Sequence, residues 1–327
     1  MLIPSAIITN TWWAQAQKPI FPALFRIFST SRPITSVSPK ASYSVDVNCI
    51  NFLPWLEEKA GTKICTALSI GKSSHGRALY ASENIIAGDC LFKIPYSVQL
   101  APDNLPQDIT CLLGGEVGHV AKLALFILRE QRLGQNSGWE PYISLLPQPE
   151  DLHSTVFWSN DELKMIQPSA LYKETLRQKT QIEEDFFSVK LAFDQFPDGF
   201  QVVTLQEFTY AYGLVTSRAW GSSRGVSMIP FADFLNHDCS SEAYVLSDEG
   251  KQHSEVIADR NYASGDQVMI RYGKFSNATL LLDFGFSVSY NHYDQVQVDL
   301  NICQNDVLYA QKLELLDRYQ TPSGSSG

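Results

Sequence analysis

Between two strand-like halves of this chain lie roughly a hundred residues, about 109–215, that carry the periodicity of helices. That length is far beyond an ordinary loop, so the segment is an insert with structure of its own. The chain therefore reads as α+β: short β-sheets divided in sequence by a long helical insert.

The insert's elements follow from its pattern. From Gly118 to Gly134, Val120, Leu123, Ala124, Ile127 and Leu128 recur on one face, and Gly134 stops the helix. Residues 161–193 read as mostly helical, with Ile182, Phe186, Val189 and Phe193 aligned. Thr204 to Glu207 is a capping box that opens another helix, whose Phe208, Tyr212 and Val215 share a face. These apolar stripes predict core packing rather than a cofactor surface. A shorter helix is expected over 51–60, with Phe52, Trp55 and Leu56 on one side.

In the first strand-rich half, Ala78–Ala81 and Cys90–Ile94 flank a turn at Ala87-Gly88-Asp89, and Pro95 closes the second strand, which predicts a hairpin. Gly71-Lys72-Ser73 has the ending of a phosphate-binding loop. That motif needs a glycine five residues before Gly71, where Thr66 stands, so the reading is rejected.

The second half concentrates polar chemistry between Phe231 and Phe286. Ala232-Asp233-Phe234-Leu235-Asn236-His237-Asp238 is one cluster, and Ile270-Arg271-Tyr272-Gly273 begins the other. Val268, Ile270 and Tyr272 alternate with polar neighbours, so a strand delivers Tyr272 to its end and Gly273 turns the chain. A tyrosine hydroxyl there, near an Asn-His pair from another loop, is an arrangement an active site can use. Either cluster alone is also compatible with a packed tyrosine and an ordinary polar turn.

Composition narrows the partners. A formal net charge of −10 argues against nucleic acid, which calls for a basic face. The six cysteines are scattered, with no C-x-x-C pair and no zinc spacing, so no metal is expected and the thiols read as small apolar residues. No apolar run approaches the roughly 20 residues that span a bilayer, so no membrane partner is expected. Residues 1–44 hold Lys18, Arg26, Arg32 and Lys40, no acid, and many Ser and Thr from Ser29 on; this is the composition of a transit peptide. Chloroplast is the expected destination, with mitochondrion as the alternative.

Taken in order, these motifs resemble the SET-domain protein methyltransferases, and specifically the Rubisco large-subunit lysine methyltransferase-like family. The resemblance rests on the split domain, on Trp139, Tyr142, Leu146 and Pro147 as W-x-x-Y-x-x-x-L-P, on Ser217-Arg218-Ala219-Trp220, and on the two clusters above. It runs from about Phe52 to Leu300. It implies a SET domain over 45–290, in parts of about 52–108, 109–215 and 216–290, and at 291–327 the start of a truncated helical C-terminal substrate-binding domain.

The resemblance implies methyl transfer from S-adenosyl-L-methionine to a protein lysine, by a monomer acting on an abundant organellar protein such as the Rubisco large subunit or fructose-bisphosphate aldolase. Lysine's ordinary pKa is about 10.4, so such a site must accept a neutral amine and align it with the methyl donor. By resemblance, Tyr272 is the catalytic tyrosine. Asn236, His237, Ala78 and Leu79 bind the cofactor, the last two in a Gly-x-Gly-Leu turn whose second glycine is Ala78 here. Ser217, Arg218, Asp233, Tyr244 and Phe284 line the substrate channel, and Ser276 and Asn277 brace the turn after Tyr272. Phe284 stands where the lysine enzyme has tyrosine, which opens the number of methyl groups added. Two alternatives stay open: a protein-histidine N-methyltransferase, and a non-catalytic SET-type binding module.

Overall fold

The computed structural model describes residues 44–113, 117–193, 203–222, 225–297 and 305–319. The expected transit peptide at 1–44 lies outside them, apart from Ser44. The described residues up to Asp294 belong to one compact unit, and those from 305 on belong to another.

Helix α1 (Phe52–Ala60) leads into strands β1 (Leu68–Ser73), β2 (Gly76–Ala81) and β3 (Cys90–Pro95). The insert holds α2 (Gln107–Leu112), α3 (His119–Leu133), α4 (Glu140–Ile143), α5 (Asn160–Met165), α6 (Ala170–Phe193) and α7 (Leu205–Thr216). Strands β4 (Ala219–Ser222), β5 (Gly225–Met228), β6 (Asn236–His237), β7 (Val245–Asp248), β8 (His253–Ile257) and β9 (Gln267–Ile270) follow, then a short turn α8 (Asn277–Thr279) that runs into a π-helical segment, Leu280–Phe284.

The halves are closed by one sheet, ordered β1-β2-β9-β6. β2 pairs antiparallel with β9, and β9 pairs in parallel with β6. A second sheet runs β3-β8-β7, and β4 pairs with β5. The predicted hairpin of β2 with β3 does not form. β2 turns back on β1 at Ser74-His75, and β3 pairs with β8 instead. The intervening chain is the reason: Ile85 bridges Tyr262 and Gly88 N–H bonds Ala258 O, so 85–88 is laid against the C-terminal half. β1 itself is hidden in sequence, because Gly71-Lys72-Ser73 reads as a turn while Leu68 and Ile70 face the core.

α3 is more deeply buried than its one-faced stripe predicts: Leu123 through Leu128 are all covered, as expected of a helix surrounded by others. Residues 160–193 are mostly helical, as expected, and form two helices, since Pro168 between α5 and α6 cannot supply the N–H that a continuous helix needs. The capping box at Thr204 forms as read: Glu207 N–H bonds Thr204 Oγ1 at 3.2 Å, and Thr204 N–H bonds Glu207 Oε2 at 2.7 Å. Cys49, Cys65 and Cys239 are buried free thiols, while Cys90 is exposed. No described helix is long and apolar enough to cross a membrane.

One aromatic seam positions the site. Phe52 of α1 lies 5.4 Å edge-on to Phe234 and 6.2 Å from Tyr142 of α4, all three buried. Rings of this size each contribute about 1.5–3 kcal/mol by burial, so α1, α4 and the 232–234 turn are locked together.

In the first unit, Asn291 Nδ2 bonds Phe275 O at 2.8 Å, and Asp294 Oδ1 accepts from Asn277 N–H at 2.8 Å. This compact unit extends to Asp294, and Asn291–Asp294 buttress the turn beyond Tyr272. In the second unit, α9 (Tyr309–Tyr319) is preceded by Asp306, whose carboxylate accepts from Leu308 N–H at 2.8 Å.

Candidate active site

Val268 and Ile270 of β9 point into the core with no exposure, and the strand ends two residues before Tyr272. Parallel pairing of Asn236 with Met269 and His237 with Ile270 brings the Asn-His pair alongside. The Tyr272 N–H then donates to His237 Nδ1 at 3.1 Å, and the rings sit 5.2 Å apart. Burial lowers the imidazole's pKa below its ordinary value, so the ring is neutral at pH 7, and with Nδ1 accepting its proton is on Nε2. The Tyr272 hydroxyl donates to Leu235 O at 2.6 Å. Burial pushes this phenol well above its ordinary range, so it stays protonated.

Asn236 Nδ2 donates to Arg77 O at 3.3 Å, which ties β6 to the start of β2. Arg77 is held in turn, by Nε to Asp46 Oδ2 at 3.1 Å and Nη1 to Leu145 O at 2.5 Å. Ala78 and Leu79 follow Arg77 on β2. Both are wholly covered, held in the ladders with β1 and, for Leu79, β9. Arg77 is the partly exposed residue at this end of the strand.

Asp233 comes from a single 3-10 turn, Ala232–Phe234, entered through Phe231 at φ +77. Tyr142 donates to its Oδ2 at 2.7 Å, while its Oδ1 is buried with no partner. Burial pushes the carboxyl up to about 6, opposed by the Tyr142 bond and by the charges of Arg218 and Arg77. Ser217 closes α7, its hydroxyl donating to Gly213 O at 2.7 Å, and Arg218 Nη1 donates to Ser217 Oγ at 2.6 Å. The Arg218 charge is felt by Tyr142, Asp233 and Tyr272 alike, so these groups share one region.

Phe284 packs on Tyr272 at 5.2 Å between centroids, and Phe286 and Phe275 complete the wall. The intervening Gly285 sits at φ +79, where an added Cβ would lie 2.6 Å from Ser154 N; glycine is needed here for backbone shape and space alike. Tyr244 stands half-exposed at the mouth of β7, outside this aromatic group. Ser276 caps the turn that follows, and Asn277 bonds Val288 through both its amide atoms.

Sequence reasoning gave Tyr142 no role, and it passed over Arg77 and Phe286. Each had a signal: Tyr142 lies in the W-x-x-Y pattern, Arg77 in the glycine turn, and Phe286 two residues after Phe284.

Behind Phe284, Gln178 Nε2 donates to Asp283 Oδ1 at 3.2 Å, but Gln178 Oε1 is buried without a donor. Burial pushes Asp283 up to about 6. A carboxyl raised above its unfolded value binds its proton more tightly when folded, so its contribution to stability falls as pH rises from about 4 to 6. Asp283→Asn removes the buried charge and offers an amide donor to Gln178. Urea unfolding is expected to show a gain on the order of 2 kcal/mol at pH 8, shrinking towards zero by about pH 4. No gain at pH 8 would mean the ionised carboxylate carries no penalty.

The SET domain matches residues 76–273, and the chain belongs to that family. It is 28% identical over 309 residues to the chloroplastic [fructose-bisphosphate aldolase]-lysine N-methyltransferase of Arabidopsis thaliana, covering 89% of this chain and 63% of the relative. It is 28% identical to the chloroplastic ribulose-1,5 bisphosphate carboxylase/oxygenase large subunit N-methyltransferase of Pisum sativum, covering 90% and 62%. The structure of Rubisco LSMT bound to AdoMet superposes with a TM-score of 0.69 at 26% identity, covering 84% of this chain and 64% of that one. The chain thus spans just under two thirds of the length of these relatives.

Proposed function

We propose that this protein is an S-adenosyl-L-methionine-dependent protein-lysine N-methyltransferase of the chloroplast. The observation that carries the reading is the joint made by His237 Nδ1 and the Tyr272 N–H, which fastens the Asn-His pair to the tyrosine at one strand end. Two relatives with lysine methyltransferase names, both chloroplastic, support the class and the compartment. The Rubisco large subunit and fructose-bisphosphate aldolase, named in those relatives, are the substrates to test first.

The residues present suit the cofactor. Asn236 and His237 are half-buried neutral polar groups, Arg218 is a cation, and Asp233 offers a buried oxygen with no partner. Such a set suits the zwitterionic amino-acid end of S-adenosylmethionine. When bound, that group supplies an electrophilic methyl on a cationic sulfur. Asn236 and His237 would hold it, with Arg77 beside them on the neighbouring strand. Tyr272 stays protonated, so its hydroxyl orients the amine as a hydrogen-bonding group rather than removing its proton. Phe284, Phe286 and Phe275 keep water from the amine, which favours the neutral form that can attack.

The test is transfer of a labelled methyl group by the full chain to purified Rubisco, to purified aldolase and to a chloroplast extract, with the modified residue mapped by mass spectrometry. Methyl-lysine is the expected product. Methyl-histidine would move the chain to the histidine class. Saturable binding of S-adenosylmethionine without transfer to any of the three would leave only cofactor binding standing.

A further inference from the structure

The structure assigns Tyr142 as the positioning residue of the site: its hydroxyl fixes one oxygen of Asp233 so that the other is presented to a cationic N–H group bound beside Tyr272. This rests on the reading just given and extends it to a residue of the insert.

Tyr142 has no exposed surface and sits in α4, 91 residues away in sequence from the carboxylate it serves. Its ring is held from behind by Phe52 at 6.2 Å, so the hydroxyl cannot swing away. A phenol has one proton to give, and it gives it to Asp233 Oδ2 at 2.7 Å. That bond settles which way the carboxylate faces. Oδ1 is left buried with no donor among the described residues. A buried acceptor without a partner is costly and rare. Asp233 stands two residues before Leu235, whose carbonyl accepts the Tyr272 hydroxyl at 2.6 Å, and the carboxyl's charge acts on that phenol.

The other groups facing the carboxylate do not fill the gap. Arg218, after α7, spends Nη1 on Ser217 Oγ. Arg77, from β2, is bound to Asp46 and Leu145 O. Tyr272, after β9, donates to Leu235 O. Arg218 and Arg77 act on Asp233 by charge, its own backbone N–H lies against the carboxylate, and the Tyr142 side chain gives it a hydrogen bond. The missing donor is therefore an incoming one. A cationic N–H fits, because hydrogen bonds between opposite charges are the strong ones. The amino group of S-adenosylmethionine and the ammonium of an arriving lysine both have that chemistry.

The test compares the parent, Tyr142→Phe, Asp233→Asn and the double variant across pH 5–9. Two quantities are followed: the Kd of S-adenosylmethionine and kcat/KM for methyl transfer. Phe keeps the ring against Phe52, so the fold is retained. The parent should lose function as pH falls through about 6, where Asp233 takes up its proton. In Tyr142→Phe the carboxylate loses a donor, so this acid limb should move up by about one pH unit. Asp233→Asn should abolish the limb, and adding Tyr142→Phe to it should shift nothing further. A shift seen in Kd identifies the cofactor's amino group as the cation; a shift confined to kcat/KM identifies the methyl acceptor. An unchanged limb in Tyr142→Phe overturns the assignment and leaves Tyr142 a packing residue. Should the parent transfer no methyl at all, the enzyme reading fails by itself. The carboxyl titration of Asp233, followed by NMR on 13C-labelled aspartate in the parent and Tyr142→Phe, then decides this proposal: an upward shift supports it and no shift overturns it.

Discussion

Tyr272→Phe is expected to reduce methyl transfer by about 10²–10³-fold, the range seen when one aimed hydrogen-bonding group is removed from a reacting centre. Cofactor affinity should barely change. The Tyr272 backbone, which meets His237, is untouched by the substitution, and so is the ring, 5.2 Å from both His237 and Phe284. What disappears is the hydroxyl and its 2.6 Å bond to Leu235 O. The stability cost should be about 1–3 kcal/mol, since that carbonyl loses a donor in a buried setting. Rate and affinity thus separate. The same variant also separates the enzyme from a binding module of the same fold, which would keep its partner unaffected. Parent and variant should be compared by single-turnover transfer and by calorimetry on the same preparations. Transfer at the parent rate would remove Tyr272 from the catalytic role.

The parts of this site that were legible in sequence are those carried by short contiguous runs. Asn236-His237 and Tyr272 each announce themselves locally, and a strand end is enough to predict where Tyr272 points. The helical insert was legible for the same reason, because periodicity and the Thr204 capping box are local signals. The parts that were missed depend on pairings between distant residues. The Tyr142–Asp233 bond joins α4 of the insert to a turn of the C-terminal half, and neither residue type declares such a partner. The β2–β3 hairpin was expected because consecutive strands usually pair. The backbone bonds from 85–88 to Tyr262 and Ala258 outcompete that default. Ala78 and Leu79 show a different limit. A glycine-turn motif gives the path of the chain, but exposure depends on packing: both residues are covered, Ala78 paired with β1 and Leu79 with β1 and β9.

His237 carries two duties that a pair of substitutions can pull apart. Its Nδ1 accepts the Tyr272 N–H, and its ring packs against Tyr272 and, at 5.9 Å, Phe286. His237→Ala removes both. The orphaned N–H alone should cost about 1–3 kcal/mol of stability. On the proposed function, loss of His237 should also weaken S-adenosylmethionine binding by about 10–100-fold, the equivalent of about 1.4–2.8 kcal/mol. His237→Asn sets an amide oxygen close to where Nδ1 stood, so the Tyr272 N–H regains an acceptor. Stability should therefore return towards the parent while cofactor affinity stays low, because the ring and its Nε2–H are still missing. Unfolding and calorimetric titration on the three proteins read the two duties independently. If Asn restored affinity together with stability, His237 would act only by holding Tyr272 in place. If Ala bound S-adenosylmethionine as tightly as the parent, the cofactor would have to lie elsewhere, and the Asn-His pair would be a strand-joining device whose purpose is to fix the tyrosine.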